Sequence, residues 1–249
     1  HANTDDKTGR GVYVDNGSFA MYGGNITGNT ANDLYGHGGG VLVANLYGNT
    51  NGRFTMYGGT ISNNAGSGTG GGVYVSGDNG YPNSKCSGTF TMYGGTISGN
   101  TSDDDGGGVF VANGYKVTAG SFTMYGGTIS GNTAKTSDGT GGCGGGVYVA
   151  KYHNAEVPGS FTMYDGTIIN NTAGYGGGGV YADGKFTMKD GTISGNTAYN
   201  GGGALVPSGF TMEDGTISGN TATKGSGGGV YARGSFTMKD GTISDNTAK

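Results

Sequence analysis

One short segment recurs eight times in this 249-residue chain and limits the folds open to it more than any other feature. Each copy contains a Phe, a Met two positions later, a corner ending in Gly, an Ile and an Asn, as in SFTMYGGTISGNTA at residues 121–134. Successive Phe residues lie 24 to 39 positions apart, so the smallest complete unit has about 24 residues. Such a chain can gather its apolar residues into one core only by stacking copies of a small structural unit.

Three short strands are predicted in each unit, with the sequences VYV, FTM and TIS. Alternation places both Val residues, the Phe, the Met and the Ile on the inner face, and the residues between them on the outer face. The Gly of the corner between FTM and TIS permits a left-handed backbone. One coil buries too little apolar surface to offset the entropy of ordering its backbone, so the coils must share a core. We therefore predict an all-β, single-stranded, right-handed parallel β-helix of about eight three-sided coils, forming one domain over residues 1–249.

An Asn follows the TIS segment in every unit. Stacked coils would bring these side chains to the strand spacing of about 4.8 Å, where amides can form a hydrogen-bonded ladder. A solvated turn Asn is the alternative. The predicted ladder residues are Asn29, Asn64, Asn100, Asn132, Asn171, Asn196, Asn220 and Asn246.

Charge and composition argue against several classes of protein. The net charge is −4 and the 13 Lys and Arg residues are scattered, so nucleic acid is not an expected partner. No apolar stretch is long enough for a membrane span and no signal peptide is visible, so no membrane insertion by this segment is expected. No cofactor is expected either. Cys86 and Cys143 lack the CxxC spacing of a zinc or redox motif, and a single disulfide between them remains open.

The repeat resembles those of chlamydial polymorphic membrane proteins and related autotransporter adhesins. In that family a glycine pair with an aliphatic residue alternates with an apolar residue, two variable positions and Asn. The matching stretches here are GGGV at 38–41, 70–73, 106–109, 144–147 and 227–230, and ISGN at 97–100, 129–132, 193–196 and 217–220. The resemblance implies a parallel β-helix that is extracellular or displayed on a bacterial cell surface.

The segment between VYV and FTM varies in length, whereas the rest of the unit is nearly constant. With coils numbered 1 to 8 by their Phe residues, coils 2 to 5 carry long segments at 44–53, 76–89, 112–121 and 150–160. We predict that these loops form a lateral lobe, because they leave the same edge of consecutive coils. Each loop holds one tyrosine that could contact a sugar or protein partner, or only pin the loop to the rod. These candidates are Tyr47, Tyr81, Tyr115 and Tyr152.

Evidence for catalysis or metal binding is weak. His37, in GHG, superficially resembles a pectinase motif, but it is predicted to lie in a turn without a suitable partner, so no catalytic residue is assigned. Asp103, Asp104 and Asp105 could offer oxygen ligands to Ca²⁺, although such a run is more often solvated.

The leading hypothesis is a non-enzymatic, secreted or cell-surface, adhesin-like module that binds a host or neighbouring-cell glycan or protein through the loops of coils 2 to 5. Three alternatives remain. The chain could be a fibre subunit that stacks end to end with copies of itself, or a carbohydrate-active β-helix enzyme. It could also be an ice-binding protein, because the outward Thr and Ser residues of the TIS segments form a regular array.

Overall fold

The computed structural model describes residues 10–32, 36–44, 51–77, 87–114, 118–136, 141–151 and 156–249. The regular elements of these residues are all β-strands, which stack into four parallel sheets of eight strands each. Each coil contributes one strand to every sheet, and strands of neighbouring coils pair in sequence order. The chain is therefore a parallel β-helix of about eight coils, as the repeat predicts.

Sheets A and B arise from the VYV and FTM segments. The strands of sheet A are Val12–Asp15, Val41–Ala44, Val73–Val75, Val109–Val111, Val147–Val149, Val180–Ala182, Ala204–Val206 and Val230–Ala232. The strands of sheet B are Ser18–Met21, Arg53–Met56, Thr89–Met92, Ser121–Met124, Ser160–Met163, Lys185–Met188, Gly209–Met212 and Ser235–Met238.

Sheet C arises from the TIS segments, and sheet D arises from the residues that follow the predicted ladder Asn of each coil. The strands of sheet C are Asn25–Thr27, Thr60–Ser62, Thr96–Ser98, Thr128–Ser130, Thr167–Ile169, Thr192–Ser194, Thr216–Ser218 and Thr242–Ser244. The strands of sheet D are Thr30–Ala31, Ala65–Gly66, Thr101–Ser102, Thr133–Ala134, Thr172–Ala173, Thr197–Ala198, Thr221–Ala222 and Thr247–Ala248.

The coil differs from the predicted three-sided coil because it has a fourth strand, which belongs to sheet D. Its strands have only two residues, of which the second faces inward, as Ala134 and Ala198 do. Two residues are too few to show alternation in the sequence, so the segment looked like a turn. The backbone packs closely beside these strands, since a Cβ at Gly107 would lie 2.5 Å from the backbone of Thr133. Such close packing suits a small inward side chain such as that of Ala134.

The core is built from columns of identical residues. In-register pairing aligns Phe90 with Phe122, Met92 with Met124 and Ile97 with Ile129. The Phe rings stack with centroids 4.5 to 5.1 Å apart along the helix axis. Together with the inner Val residues of sheet A they form one continuous buried cluster, which confirms the predicted interior.

The predicted asparagine ladder is present, and its amides are buried. The Asn100 Nδ2 donates both to the Asn132 Oδ1, at 2.9 Å, and to the Ile61 carbonyl oxygen, at 3.0 Å. Its Oδ1 accepts from the backbone N–H and the Nδ2 of Asn64, each at 3.0 Å. The side chain thus uses its full hydrogen-bonding capacity in the interior, where an unpaired amide would be costly.

The corner between sheets B and C requires glycine for two reasons. Gly127 has a φ of +96°, a region that side chains other than glycine rarely occupy. A Cβ there would also lie 2.6 Å from the Met92 Cε of the previous coil. The same position has a positive φ in all eight coils, so the corner glycine is explained by the fold alone.

Candidate binding face

The four loop tyrosines of the sequence prediction, Tyr47, Tyr81, Tyr115 and Tyr152, lie outside the described residues. The described ends of the loops show how they leave the rod. The N–H groups of Gly88, Gly120 and Gly159 donate at 2.7 to 3.0 Å to the carbonyl oxygen at the start of the same loop. Each of these three loops therefore begins and ends at one narrow neck between sheets A and B.

Neighbouring loops also touch one another near these necks. The Ser87 N–H donates to the Asn51 Oδ1 at 3.0 Å, joining the segments of coils 2 and 3. The Gly114 N–H donates to the Val157 carbonyl oxygen at 2.9 Å in an antiparallel bridge between coils 4 and 5. These contacts lie along one edge of the rod, and the lobe beyond them stays a prediction.

The three aspartates of the possible metal site do not converge. Asp103 forms an exposed ion pair with Lys135 at 3.1 Å, whereas Asp105 is buried and accepts the Cys143 N–H at 2.8 Å. Burial raises the pKa of Asp105 to about 7, with the charge of Asp104 adding to the rise and the Cys143 hydrogen bonds opposing it. Among the described residues, which include Asp103, Asp104 and Asp105, no group of three or more His, Cys, Asp or Glu side chains is placed to hold a metal ion.

Cys143 is a buried free thiol packed against the outer face of sheet A. Burial and the neighbouring Asp105 raise its pKa above the usual thiol range, which makes it a poor nucleophile. The structure therefore contains no bridge at Cys143, and Cys86 lies outside the described residues.

The middle of the outward column of sheet A, from coil 3 to coil 6, is covered rather than exposed, whereas Tyr13 at its start is exposed. Phe110 and Tyr148 are buried in a second cluster, and Tyr74 and Tyr181 pack against it. Burial raises the pKa of Tyr74 to about 12 and that of Tyr181 further still. His37 caps this stack at a centroid distance of 4.6 Å from Tyr74.

His37 also has a polar partner, because its Nδ1 lies 2.8 Å from the Thr69 Oγ1. The sequence expectation was that His37 lacks a partner suited to catalysis, and neither the Thr69 hydroxyl nor the Tyr74 ring contradicts it. Its contacts are those of a packed structural side chain, since they join a Thr hydroxyl and an aromatic stack rather than a nucleophile or a second titratable group.

The most prominent exposed feature is a row of five stacked tyrosines at the corner after sheet B, which we call the tyrosine ribbon. Their ring centroids are 4.7 to 5.2 Å apart, and neighbouring rings are within 16° of parallel. The first ring is 76% exposed and the others 43 to 49%. The ribbon consists of Tyr22, Tyr57, Tyr93, Tyr125 and Tyr164.

Sequence reasoning missed the ribbon although its signal was present. Phe122 and Met124 of sheet B face inward, so Thr123 and Tyr125 must face outward. Because two glycines follow Tyr125, the predicted strand ended at Met124 and was not extended to Tyr125. The ribbon thus continues the outer face of sheet B by one column.

The outer face of sheet B therefore has three parallel columns, and we call it the binding face. The ribbon is the third column. The second is threonine in coils 2 to 8, with Thr91, Thr123 and Thr162 half-buried. The first column lies where the loops re-enter the sheet. The long loops therefore border one edge of the face, and the ribbon borders the other.

The ribbon ends at coil 5, and charged residues occupy the same column in coils 6 to 8. The Lys189 Nζ lies 2.7 Å and the Lys239 Nζ 3.5 Å from the Glu213 Oε1. The hydrogen bond from Lys189 is the main reason why the pKa of Glu213 is lowered. The binding face thus has an aromatic half in coils 1 to 5 and a charged half in coils 6 to 8.

Sheet C carries the array on which the ice-binding alternative depends. Register aligns the Thr residues of coils 2 to 8 in one column and places Ser in the next. Ile169 interrupts the Ser column at coil 5. These outward side chains are half-buried over most of the rod, and ice binding stays a prediction.

No helix is found among the described residues, hence none that is long and apolar enough to cross a bilayer. Comparison of the chain with protein-family models, with curated proteins and with solved structures finds no match.

Proposed function

We propose that this β-helix is a non-enzymatic module that binds a linear glycan along the binding face, with the polymer parallel to the helix axis. The observation that carries the proposal is the tyrosine ribbon. Soluble proteins rarely leave a contiguous row of large aromatic side chains exposed unless a ligand or partner uses it. Tyrosine also combines apolar area with a hydroxyl and loses little conformational entropy on binding.

The geometry of the ribbon favours a repetitive ligand. Stacking covers the faces of the inner rings, so their edges and hydroxyl groups are what a ligand meets. These groups repeat every 4.7 to 5.2 Å, close to the rise of one sugar in an extended glycan. A bound glycan could therefore meet one tyrosine per sugar, and the neighbouring threonine hydroxyls offer a second polar contact in each coil.

The composition of the face favours binding over bond cleavage. In coils 2 to 5 its three columns contain Arg, Ser, Thr and Tyr, without a carboxylate or imidazole that could serve as a general acid or base. The described ends of the long loops border the same face. An adhesin-like role in an extracellular or cell-surface protein fits this arrangement and the resemblance to the polymorphic membrane protein repeats.

A substitution series on the ribbon tests the proposal. Replacement of Tyr57, Tyr93 and Tyr125 by Ser should weaken binding to a panel of immobilised and soluble linear glycans by at least about tenfold, because three contacts of the ligand are lost. The matched control replaces Tyr175 and Tyr199, a stacked pair on another face with each residue 42% exposed. The control should bind as the native chain does.

Two results would contradict the proposal. One is a native chain that binds no linear glycan of the panel. The other is equal loss of binding in the ribbon variant and the Tyr175 and Tyr199 control. Circular dichroism and thermal unfolding would verify that both variants remain folded, which we expect because the five substituted side chains are all exposed.

A further inference from the structure

A cleft of about 280 Å³ opens at the loop edge of the binding face, beside the last long loop. One wall is formed by Lys151 and Pro158 at the two ends of the coil 5 loop. The opposite wall is formed by Asp183 and Lys185 of coil 6, and Ser208 closes the cleft at coil 7. Lys185 occupies the first column of the binding face, so the cleft and the face are continuous.

The cleft gathers positive charge that the described residues do not neutralise. Lys135, Lys189 and Lys239 each form an ion pair with a carboxylate. Neither Lys151 nor Lys185 has such a partner among the described residues, although both line the cleft. The cleft therefore holds two lysine ammonium groups and one carboxylate, that of Asp183, and this excess of positive charge favours an anionic ligand.

The other lining groups suit a sugar ring. The Ser208 hydroxyl lies 3.5 Å from the Asp183 Oδ1, a long contact that leaves both groups available to ligand hydroxyls. The Asp183 carboxylate should also disfavour binding of simple anions, because it would repel a ligand that offers it no hydroxyl donor. Pro158 and the glycines supply apolar surface.

Gly209 keeps one side of the cleft open without being required by the fold. A Cβ at Gly209 would meet its nearest neighbour, the Ser235 carbonyl oxygen, at an ordinary 3.5 Å. The aligned position in other coils holds Arg53, Thr89 or Lys185. By contrast, a Cβ at Gly184 would lie 2.4 Å from the Gly159 carbonyl oxygen. A larger residue at position 209 can therefore fill the cleft while the rod stays intact.

We infer that the cleft holds the carboxylate-bearing ring of an acidic glycan, with the carboxylate between the Lys151 and Lys185 ammonium groups. The inference rests on the proposed function, because the remainder of the polymer would cross the outer face of sheet B from the cleft to the tyrosine ribbon at the opposite edge. It adds a chemical class to that proposal, namely glycans that contain uronic acid.

The test uses linear oligomers of galacturonate, glucuronate and mannuronate, each beside its neutral methyl ester, with titration calorimetry on the intact chain. The native chain should bind at least one acid about tenfold more tightly than its ester, since one charge-assisted contact contributes about that factor. Lys151→Gln and Lys185→Gln should each remove most of this difference between acid and ester. Gly209→Leu should weaken binding of the acid, whereas Lys224→Gln, an exposed lysine outside the cleft, should alter nothing.

The outcomes separate the two proposals. Equal binding of acid and ester by the native chain, with sensitivity to the ribbon substitutions, would overturn the acidic-glycan inference and support the glycan-binding function. An acid preference that survives both lysine substitutions would also overturn the inference. Binding of neither acid nor ester would overturn the inference, and the proposed function would fall with it only if the native chain also bound no other linear glycan of the panel.

Discussion

Coils 2 to 5 and coils 6 to 8 share one interior but differ in what they show to solvent. The Phe, Met, Ile and Asn columns run through both regions without a change of residue. Outside, the first region combines long loops with tyrosine at the corner, and the second combines short turns with Lys, Glu and Lys. Thus two surface features on opposite edges of sheet B change at the same coil boundary.

This joint change separates the requirements of folding from those of binding. The fold cannot require the ribbon, because coil 6 makes the same corner with Lys189, and it cannot require long loops, because coils 6 to 8 form the same four sheets without them. Between coils 2 and 8 the two features change together while the interior stays constant, which supports the proposal of one ligand that uses both. The cleft lined by Lys151 and Lys185 lies at the boundary between the two regions.

The largest expected effect tests whether the interior is equivalent in both regions. Phe122→Ala and Phe186→Ala should each lower the free energy of unfolding by about 3–5 kcal/mol, because both rings are buried between two stacked Phe neighbours. Chemical denaturation of the two variants would measure this. A difference of more than about 2 kcal/mol between them would break the equivalence.

A smaller effect should distinguish the regions by pH. The pKa of Asp105 is raised to about 7 in the folded state, whereas an unfolded Asp titrates near 4. Its contribution to stability is therefore fully present below about pH 4, is lost as the pH rises to about 7, and stays lost above. Asp105→Asn should remove up to roughly 4 kcal/mol of this pH dependence, from about three pKa units at about 1.4 kcal/mol each, while its amide oxygen can still accept the Cys143 N–H.

The aligned position in coil 7 supplies the matching experiment. Asn200 accepts the Ser226 N–H at 3.0 Å, as Asp105 accepts the Cys143 N–H, but Asn200 is only half-buried. Asn200→Asp should therefore introduce a weaker pH dependence than the one that Asp105→Asn removes. Denaturation at pH 4 and pH 8 would measure both. An unchanged pH profile in Asp105→Asn would show that another group dominates.

The smallest expected effect extends the ribbon into the second region. Lys189→Tyr should place a sixth ring beside Tyr164, because Met163 and Met188 are paired in register. An aromatic pair contributes about 0.5–1.5 kcal/mol, so stability should stay constant or rise slightly despite loss of the partly buried ion pair with Glu213. Glycan affinity should rise a few fold. Weaker glycan binding would argue against a ligand that follows the axis.

The interior could be predicted from the sequence because each inner column repeats one residue type. Phe122, Met124 and Ile129 alternate with outward residues, and the same spacing recurs eight times. Sheet D could not be recognised, because two-residue strands such as Thr133–Ala134 carry no period. The prediction that the corner glycines permit a left-handed backbone is confirmed, because each of them has a positive φ.

The exterior was harder to predict, since it depends on where the inserted segments lie. The stacking of His37 on Tyr74 joins two coils and follows from the turn that brings His37 over sheet A. The convergence of Lys151 and Lys185 likewise depends on the path of the coil 5 loop. The tyrosine ribbon was accessible to the alternation rule, but the adjacent glycines concealed it.

The asparagine ladder has one more consequence. Between the two end members, each ladder amide donates to the Asn of the next coil and accepts from that of the previous one, so each coil offers the same junction to the coil on either side. Whole repeats can therefore be duplicated or deleted in a gene without creating a new interface. The length of the rod, and with it the number of tyrosines in the row, becomes a quantity that recombination can adjust one repeat at a time.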